Sequence, residues 1–448
     1  MTPGGPALEL AGERRAITPR NIVGSIFVAA TVPALLFVAF WRTRSERYRH
    51  WLLTLFMVVL GFVAVVDASG DAQRHLLAME LVYSSMSFAQ FLEDLWLILT
   101  FQLAESGTKD VYKHLISYFF GGVVGIPQLF FPFVAGVYGY FFAGSVLHVL
   151  RNFSLSYVNY VVLAFVFVFL MVKGIDGYFT VRTWTGMWIL VYACLKYHQQ
   201  QRLRYLLLMF VPPFIHLGYF LLAIPAWVVL VFGSRPLVYV VIFGLSSVTT
   251  ILPQEEITQQ IARTEIGATQ VRGYYTETQS SAIEEFLGER ETTNWYNAYR
   301  RAGLQRWAPT VLVVTLLAFG MYLRWMTRYQ KRIFSIGLLT LAFSNMTWFL
   351  FAVHNRSLTV AMIFILAAFL MARLDPETRD RFRTPPPYYK WGLHLSLLLF
   401  VPLMMFAVSV VLERYGFYSL AAPFMALVEP ESNIDFKQAI RYLMGNPE

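Results

Sequence analysis

Apolar segments alternate with short charged loops along the chain, from Asn21 to Arg414. An α-helix needs about 20 apolar residues to cross the ~30 Å hydrocarbon core of a bilayer, and its backbone groups are then bonded within the helix. Roughly ten to twelve segments meet this requirement. The pattern therefore predicts an all-α polytopic integral membrane protein, in a bacterial-type inner membrane or a plasma membrane, with some of its helices broken.

The first apolar segment, residues 21–41, follows three arginines as a signal peptide does. It is longer than a signal core of ~7 to 15 residues. Arg42 follows it, where a signal peptide has small residues for cleavage. We therefore interpret residues 21–41 as one retained span.

Two other apolar segments, residues 115–150 and 204–253, are too long for one straight helix. The first contains Pro127 after several glycines, and the second contains a proline pair, Pro212 and Pro213. Proline breaks the helical hydrogen-bond ladder, and irregular backbone at membrane depth requires a protein or water environment. We predict a hairpin or a broken helix in residues 115–150, and two spans with a break at the proline pair in residues 204–253.

Composition divides the chain into five regions. An abrupt gain in glutamate and arginine marks one substantial extramembrane insertion, in which apolar residues at helical spacing favour short helices. The predicted regions are a polar N-terminal tail at 1–20, a first transmembrane bundle at 21–253, the helical insertion at 254–306, a second bundle at 307–413 and a C-terminal tail at 414–448.

Lysine and arginine accumulate in three short loops, Arg42 to Arg49, Arg324 to Arg332 and Arg373 to Lys390. Such loops face the cytoplasm in most membrane proteins. We expect all three on one side, which places the 254–306 insertion on the outer side. The same topology places the N-terminal tail outside in spite of its three arginines, which conflicts with the charge rule.

Composition excludes a soluble protein, because only 14% of the residues are charged and 57% are hydrophobic, whereas soluble domains have about 25% charged residues. The net charge of +9 arises in the loops, which indicates anionic lipid and not nucleic acid as the partner. Cys194 is the only cysteine and lies in an apolar segment, so we expect a buried small hydrophobe. No metal and no cofactor are predicted.

The third predicted span, residues 76–104, contains an unusual number of acids. Spacings of four, three, three and four place five polar residues on one helical stripe, with Glu93 beside it: Glu80, Ser84, Ser87, Gln90 and Asp94. Carboxylates in lipid are costly, so such a stripe must face protein or water, where it can form an ion or proton path. The alternative, which we favour, is helix packing by polar residues with Glu93 and Asp94 near an interface.

His216 follows Pro212 and Pro213 in an apolar segment, and we treat these three residues as a candidate broken-helix site. A histidine within a span can also ligate haem, but a bis-histidine haem needs a partner at matching depth. The remaining histidines within apolar segments, His148 and His394, lie near span ends. We therefore expect a hydrogen-bonded structural role for His216.

No Gly-rich nucleotide loop, HExxH or GxSxG motif is present. With 39 Phe, 25 Tyr and 11 Trp, the chain is rich in the residues that favour protein interfaces. We predict a non-catalytic subunit of a multiprotein membrane assembly of translocation, secretion or energy-transducing type. Its expected partners are membrane lipids and other membrane subunits, or further copies of itself.

Two alternatives stay open. The first is an ion-coupled secondary transporter or channel that uses the acidic stripe and the broken helices. The second is a membrane enzyme that acts on lipid-linked substrates, for which the candidates are four residues near span ends, His148, Arg151, Lys196 and His198.

Overall fold

The computed structural model describes residues 18–64, 71–102, 104–154, 158–248, 304–348, 350–379, 386–428 and 434–444, together with residues 295 and 299. The structure is 80% helical and has no strand in these ranges, where a single bridge joins Gly416 to Asp435. This confirms the all-α prediction for the described part of the chain. The predicted insertion at 254–306 lies almost entirely outside it.

The α-helices are numbered in chain order. In the first half they are α1 (Pro19–Thr31), α2 (Leu35–Arg42), α3 (Glu46–Val63), α4 (Asp71–Ala78), α5 (Phe88–Leu99), α6 (Val111–Ser117), α7 (Phe130–Val149), α8 (Tyr160–Met171), α9 (Thr183–Gln200), α10 (Leu203–Leu208), α11 (Pro212–Ile215), α12 (Tyr219–Leu222), α13 (Ile224–Phe232) and α14 (Pro236–Val248). In the second half they are α15 (Trp307–Ala318), α16 (Arg328–Met346), α17 (Phe351–Leu374), α18 (Pro376–Arg379), α19 (Pro387–Arg414), α20 (Met425–Val428) and α21 (Phe436–Leu443).

Shorter turns of other helix types connect them. Three are π-helical and four are 3₁₀-helical: Met79–Tyr83, Tyr118–Val123 and Met321–Trp325, then Pro127–Leu129, Gly177–Thr180, Leu304–Arg306 and Phe417–Ser419. Gly125 has a positive φ of 68°, which glycine adopts at little cost, where the predicted break precedes α7. The second predicted break is also present, because Pro212 and Pro213 begin the separate short helix α11.

Among the residues that the structure describes, three helices are long and apolar enough to cross a membrane, and five shorter helical segments are also apolar. The three long ones are Pro127–Val149, Ala352–Leu374 and Pro387–Arg414. Helix length by itself does not confirm the predicted ten to twelve spans, because several of the predicted segments are divided into shorter helices.

Helix α17 lies at the centre of the bundle. Within its apolar window 89% is buried inside the protein, against 28% for α19. A helix that is apolar on every side must be enclosed by protein or by lipid, and α17 is enclosed by protein. Helix α16 packs closely on it, because a Cβ added at Gly337 would lie 2.8 Å from Ile365 Cγ1.

Helices on both sides of the 254–306 insertion share one hydrophobic core. The rings of Phe165 in α8 and Phe369 in α17 are 4.9 Å apart between centroids, and the buried core cluster extends from Met57 to Tyr415. The two predicted bundles are therefore packed against each other, while their boundaries stay predictions.

The bundle has two ends, and the basic loops lie at one of them, which we name the basic-loop end. At the start of α16, Gln330 Nε2 donates to Asp375 Oδ2 at 3.0 Å, just beyond the end of α17. Tyr329 Oη lies 2.7 Å from His148 Nε2, near the end of α7. His50, which follows the first basic loop, lies with Nε2 2.6 Å from Tyr140 O of α7. The described parts of the three basic loops thus share one end, as predicted.

At the opposite end, which we name the cavity end, the α16–α17 connection is held by Ser344 Oγ, 3.0 Å from His354 Nδ1. The helices that flank the insertion also reach this end. Asn345 Nδ2 of α16 donates to Ser246 Oγ of α14 at 3.3 Å, and Gln305 Nε2 lies 2.5 Å from Asn355 Oδ1 of α17. The chain therefore leaves α14 and re-enters α15 at the cavity end.

The interpretation of residues 21–41 as one span is wrong. Helix α1 ends at Thr31 and α2 begins at Leu35, because Pro33 lacks the N–H that a continuous helix requires. Ala422 N donates to Thr31 O at 2.7 Å, so the turn between the two helices packs against the segment that follows α19.

Helices α1 and α2 form a hairpin against α3. Trp51 Nε1 donates to Ser25 Oγ at 2.9 Å, and Arg49 Nε donates to Thr43 O at 2.9 Å. Both outer ends of the hairpin therefore lie at the basic-loop end, beside the start of α3. This removes the conflict in the predicted topology, because α1 begins on the same side as the basic loops.

Candidate functional site

A polar cavity of about 360 Å³ opens at the cavity end. Its volume lies within the ~300–1,000 Å³ of typical ligand pockets. We name it the basic cavity, because four of its eight lining residues are cationic and none is a carboxylate. The lining residues are Arg74, His75, Lys113, Thr180, Arg182, Thr183, Trp184 and Arg356.

Four separate segments supply the cations. Arg74 lies in α4 and Lys113 in the first turn of α6, while Arg182 immediately precedes α9 and Arg356 lies in the second turn of α17. Charged side chains are costly inside an apolar bundle, so they collect where its helices end. The fold thereby brings together cations from segments that are far apart in the sequence.

Asp110 organises one wall of the basic cavity. It stands at the N-cap position of α6, yet its side chain caps no amide of that helix. Its Oδ2 accepts a hydrogen bond from Arg182 Nη1, and its Oδ1 accepts one from Leu217 N at 2.8 Å. With 1% of its side chain exposed, this carboxylate is buried and fully paired, as a buried charge must be.

His216 extends this pairing to a second arginine. Its Nε2 lies 3.0 Å from Arg356 Nη1, and a guanidinium has only donors, so Nε2 accepts. The proton of the neutral ring is then assigned to Nδ1, which donates to Asp110 Oδ1 at 2.9 Å. The result is a continuous chain from Arg182 through Asp110 and His216 to Arg356.

The charges of this site are reflected in two pKa values. Burial by itself would raise the pKa of the Asp110 carboxyl, but the hydrogen bond from His216 and the charge of Arg182 outweigh it and hold that pKa well below its usual range. Burial, followed by the charge of Lys113, lowers the pKa of His75 to about 3. Asp110 is therefore ionised and His75 is neutral at neutral pH.

His75 adds an unused polar group to the wall of the basic cavity. It is 7% exposed, and its Nδ1 has no hydrogen-bond partner among the described residues. Buried polar atoms are nearly always hydrogen-bonded. An unpaired ring nitrogen beside several cations is typical of a site that a polar ligand completes.

The structure separates the residues of the predicted acidic stripe. A π-helical turn ends at Tyr83, and α5 begins at Phe88 with a capping box between Ser87 and Gln90. Glu80 therefore lies on the other side of a helix break from Gln90, and the stripe is not continuous.

The stripe's acids also differ in environment. Asp94 is buried and accepts hydrogen bonds from Glu105 N at 3.0 Å and Ser106 N at 3.1 Å. Glu80 and Glu93 are exposed. Gln90 and Asp94 thus have local structural partners, and the ion or proton path stays a prediction.

Of the three residues in the candidate broken-helix site, His216 is hydrogen-bonded to Asp110 and Arg356 beside the basic cavity. Pro212 and Pro213 are buried at the start of α11, and this short helix ends at Ile215. The break allows His216 to leave the helix axis and Leu217 to offer its backbone N–H to Asp110. His216 is hydrogen-bonded at both ring nitrogens, while a functional role of the broken-helix site stays a prediction.

A second polar cavity, of about 320 Å³, lies at the basic-loop end. We name it the mixed cavity, because Arg151 and His198 line it together with Asp375 and Glu377. Two of the four residues considered for an enzyme of lipid-linked substrates thus share one cavity. Within the described ranges, no three His, Cys, Asp or Glu side chains are close enough to bind one metal ion.

Sequence reasoning missed Asp110, Arg182 and Arg356. Their partners are 72, 106 and 140 positions away along the chain, so no local spacing joins them. A usable signal was present, since each is a charged residue beside an apolar segment. Knowledge of which segment ends meet was required to connect them.

Comparisons with protein-family models, with curated proteins and with solved structures find no significant match to this chain. The function is therefore inferred from the geometry and charge of the site.

Proposed function

We propose that this is a multi-pass membrane protein that binds an anionic ligand with a phosphate-type group in the basic cavity. One observation carries the proposal: four cations line a cavity without a carboxylate, and the buried pair of Asp110 and His216 fixes Arg182 and Arg356 in position. Arginine and lysine are the side chains that bind phosphate oxygens most strongly, and fixed donors lose little entropy on binding.

The proposal includes a topology of eleven crossings. The crossings are the three long helices, the helices α3, α9 and α16, and five shorter apolar segments. These segments are Tyr160–Met171, Leu203–Ile215, Tyr219–Phe232, Pro236–Val248 and Leu304–Ala318. Successive crossings run in opposite directions between the two ends of the bundle. Hydrogen bonds at both ends support this order, which lies within the ten to twelve spans that the sequence predicts. The α1–α2 hairpin is not counted, since both of its outer ends lie on one side.

The sidedness follows from the basic loops. If lysine and arginine mark the cytoplasmic face, the mixed cavity faces the cytoplasm of a bacterial-type inner membrane or a plasma membrane. The basic cavity then opens on the outer side, where the chain between α14 and α15 also lies.

The residues of the basic cavity favour binding over chemistry. The lining residues include no thiol and no carboxylate, and His216 uses both ring nitrogens in hydrogen bonds. This supports the non-catalytic class among those that the sequence favours. Membership of a multiprotein assembly is part of the proposal, with the bound anion as the group that such an assembly recognises or presents.

Titration of the full-length protein in lipid nanodiscs with inorganic pyrophosphate, followed by calorimetry, tests the proposal. We expect saturable binding that weakens as salt increases, because the interaction is between charges. The variant Lys113→Gln removes one cation of the wall and should weaken binding about tenfold, since a charged hydrogen bond contributes ~1.5–3 kcal/mol.

The matched control is Arg202→Gln, which removes an exposed cation at the basic-loop end. It should bind pyrophosphate as the wild type does. Equal weakening in both variants would show only a general effect of net charge and would contradict the proposed site, as would a wild type that does not bind at low salt.

A further inference from the structure

An apolar groove of about 630 Å³ extends along the outer surface of α19. Phe167 of α8 and Val401, Met404 and Val408 of α19 form its walls. It extends along α19 from Leu397 to Leu412, and at 1.5 Å per helical residue this is about 22 Å. The groove therefore has the length of one acyl chain and lies on a helix that is mostly not covered by protein.

Two cations of α21 stand at one end of the groove. Lys437 and Arg441 are one helical turn apart and both line it, beside Ile440. Lys437 also pairs with Glu413 at the end of α19, so two positive charges face one negative charge. The excess of positive charge complements an anionic group.

Helix α21 has the pattern of a helix that lies in a membrane interface. Ile440 is 43% exposed, and Leu443 and Met444 are more exposed still. Together with Phe436, these three apolar residues lie on one face of the helix, at spacings of four, three and one. Lys437 and Arg441 lie on the adjoining polar face. The helix thus marks the depth at which the groove meets lipid headgroups.

The position of this end within the bundle is fixed by Tyr415. Its Oη donates to Ile175 O at 3.0 Å, and its backbone O accepts from Phe436 N at 2.9 Å. The cationic end of the groove therefore lies at the cavity end. An occupant with its polar group there has its apolar part directed toward the membrane interior.

We infer that the groove binds one anionic phospholipid, with an acyl chain along α19 and the phosphate group beside Lys437 and Arg441. The apolar walls match a hydrocarbon chain, the pair of cations matches the headgroup charge, and the interfacial helix sets both at the correct depth. This site is separate from the basic cavity and does not depend on what that cavity binds.

Native mass spectrometry of the full-length protein in detergent micelles tests this, with phosphatidylglycerol or phosphatidylcholine of the same acyl chains added. We expect one phosphatidylglycerol to be retained and phosphatidylcholine to be lost at the same activation energy. The double variant K437Q/R441Q should retain phosphatidylglycerol at least tenfold less, as expected for the loss of two cations near an anionic headgroup. The control R44Q/R47Q, which removes two exposed arginines at the basic-loop end, should retain it fully.

A second variant, Val401→Trp, fills the groove and leaves both cations, and it should also lose the lipid. Equal retention of the two lipids, or undiminished retention by K437Q/R441Q, overturns the inference. So does displacement of the lipid by millimolar inorganic phosphate, since a free anion would then suffice. A dimer that dissociates in Val401→Trp would assign the groove to a second copy of the chain and would overturn it as well.

Discussion

The two polar cavities lie at opposite ends of the same helices, yet their charges differ. Helix α9 contributes Thr183 and Trp184 to the basic cavity and His198 to the mixed cavity. Helix α17 supplies Arg356 at one end and Leu374 at the other. The basic cavity contains cations without a lining carboxylate, whereas the mixed cavity contains charges of both signs.

The charges of the two cavities do not follow the charges of the loops at the same ends. The loops at the basic-loop end are rich in arginine, but the cavity there is balanced by Asp375 and Glu377. Asp375 is moreover used locally, because it accepts from Gln330 Nε2 and from Glu377 N, each at 3.0 Å. The charge of the loops at one end of the bundle therefore does not predict the charge of the cavity at that end.

The largest expected effect is a difference in cysteine labelling between the two ends of the bundle, which lie on opposite sides of the membrane in the proposed topology. Cys194 is fully buried, so a single new cysteine on the surface reports its own position. Glu105→Cys at the cavity end should react with a membrane-impermeant maleimide in intact cells, and Arg44→Cys at the basic-loop end should react only after permeabilisation. The measurement is the mass shift of the purified protein. Labelling of both sites in intact cells would contradict the topology.

The next largest effect is expected on pyrophosphate binding, when one charge is reversed in each cavity. Lys113→Glu adds a carboxylate to the basic cavity, and like-charge contact with a ligand phosphate should weaken pyrophosphate binding by about a hundredfold. Arg151→Glu makes the same change of charge in the mixed cavity and should leave the binding constant unaltered. Calorimetry on both variants, after size-exclusion chromatography shows that they are folded, makes the comparison. An equal loss in both would remove the distinction between the two cavities.

Loss of the buried carboxylate should affect stability. Asp110→Asn leaves Arg182 without a charged partner, and breaking a buried pair costs ~3–5 kcal/mol. The Arg182 side chain is 32% exposed, so water offsets part of this and we expect about 2–3 kcal/mol. Asp375→Asn in the mixed cavity should cost about 1 kcal/mol, the value of an ordinary hydrogen bond. Unfolding in mixed micelles measures both, and equal losses would contradict the central role of Asp110.

The smallest expected effect is a dependence of the unfolding free energy on pH. The pKa of Asp110 is lower in the folded protein than in the unfolded chain, where it is about 3.9. Its contribution to stability is therefore complete above pH 4 and is lost as the pH falls toward the folded pKa. The difference in unfolding free energy between wild type and Asp110→Asn should narrow as the pH falls below 4. A difference that widens below pH 4 would refute this assignment.

The apolar pattern predicted where the helices lie, because burial in lipid or protein leaves a strong local signal. It also predicted the breaks near Pro127 and Pro212. The break at Pro33 was missed, since an apolar segment of spanning length was taken as one helix although it contains a proline. The capping box of Ser87 and Gln90 was likewise visible in the sequence and indicates that the acidic stripe is divided.

The site could be predicted only in part. His216 drew attention as a histidine in an apolar segment, and its structural role was expected. Its partners Asp110 and Arg356 were not found, because they are joined by the packing of helix ends and not by periodicity. The basic cavity is a property of the assembled bundle, because each of its four cations comes from a different segment of the sequence.

The enclosed position of α17 has a consequence for biosynthesis. Besides the short helix α18 that directly follows it, α17 packs against α7, α8, α9, α12, α15 and α16, and these six precede it along the chain. The ribosome therefore delivers the central helix after its surroundings, and the earlier helices cannot close into their final arrangement until residue 374 has been made. Arg356 arrives on the same helix, so the basic cavity is complete only at this late step of synthesis.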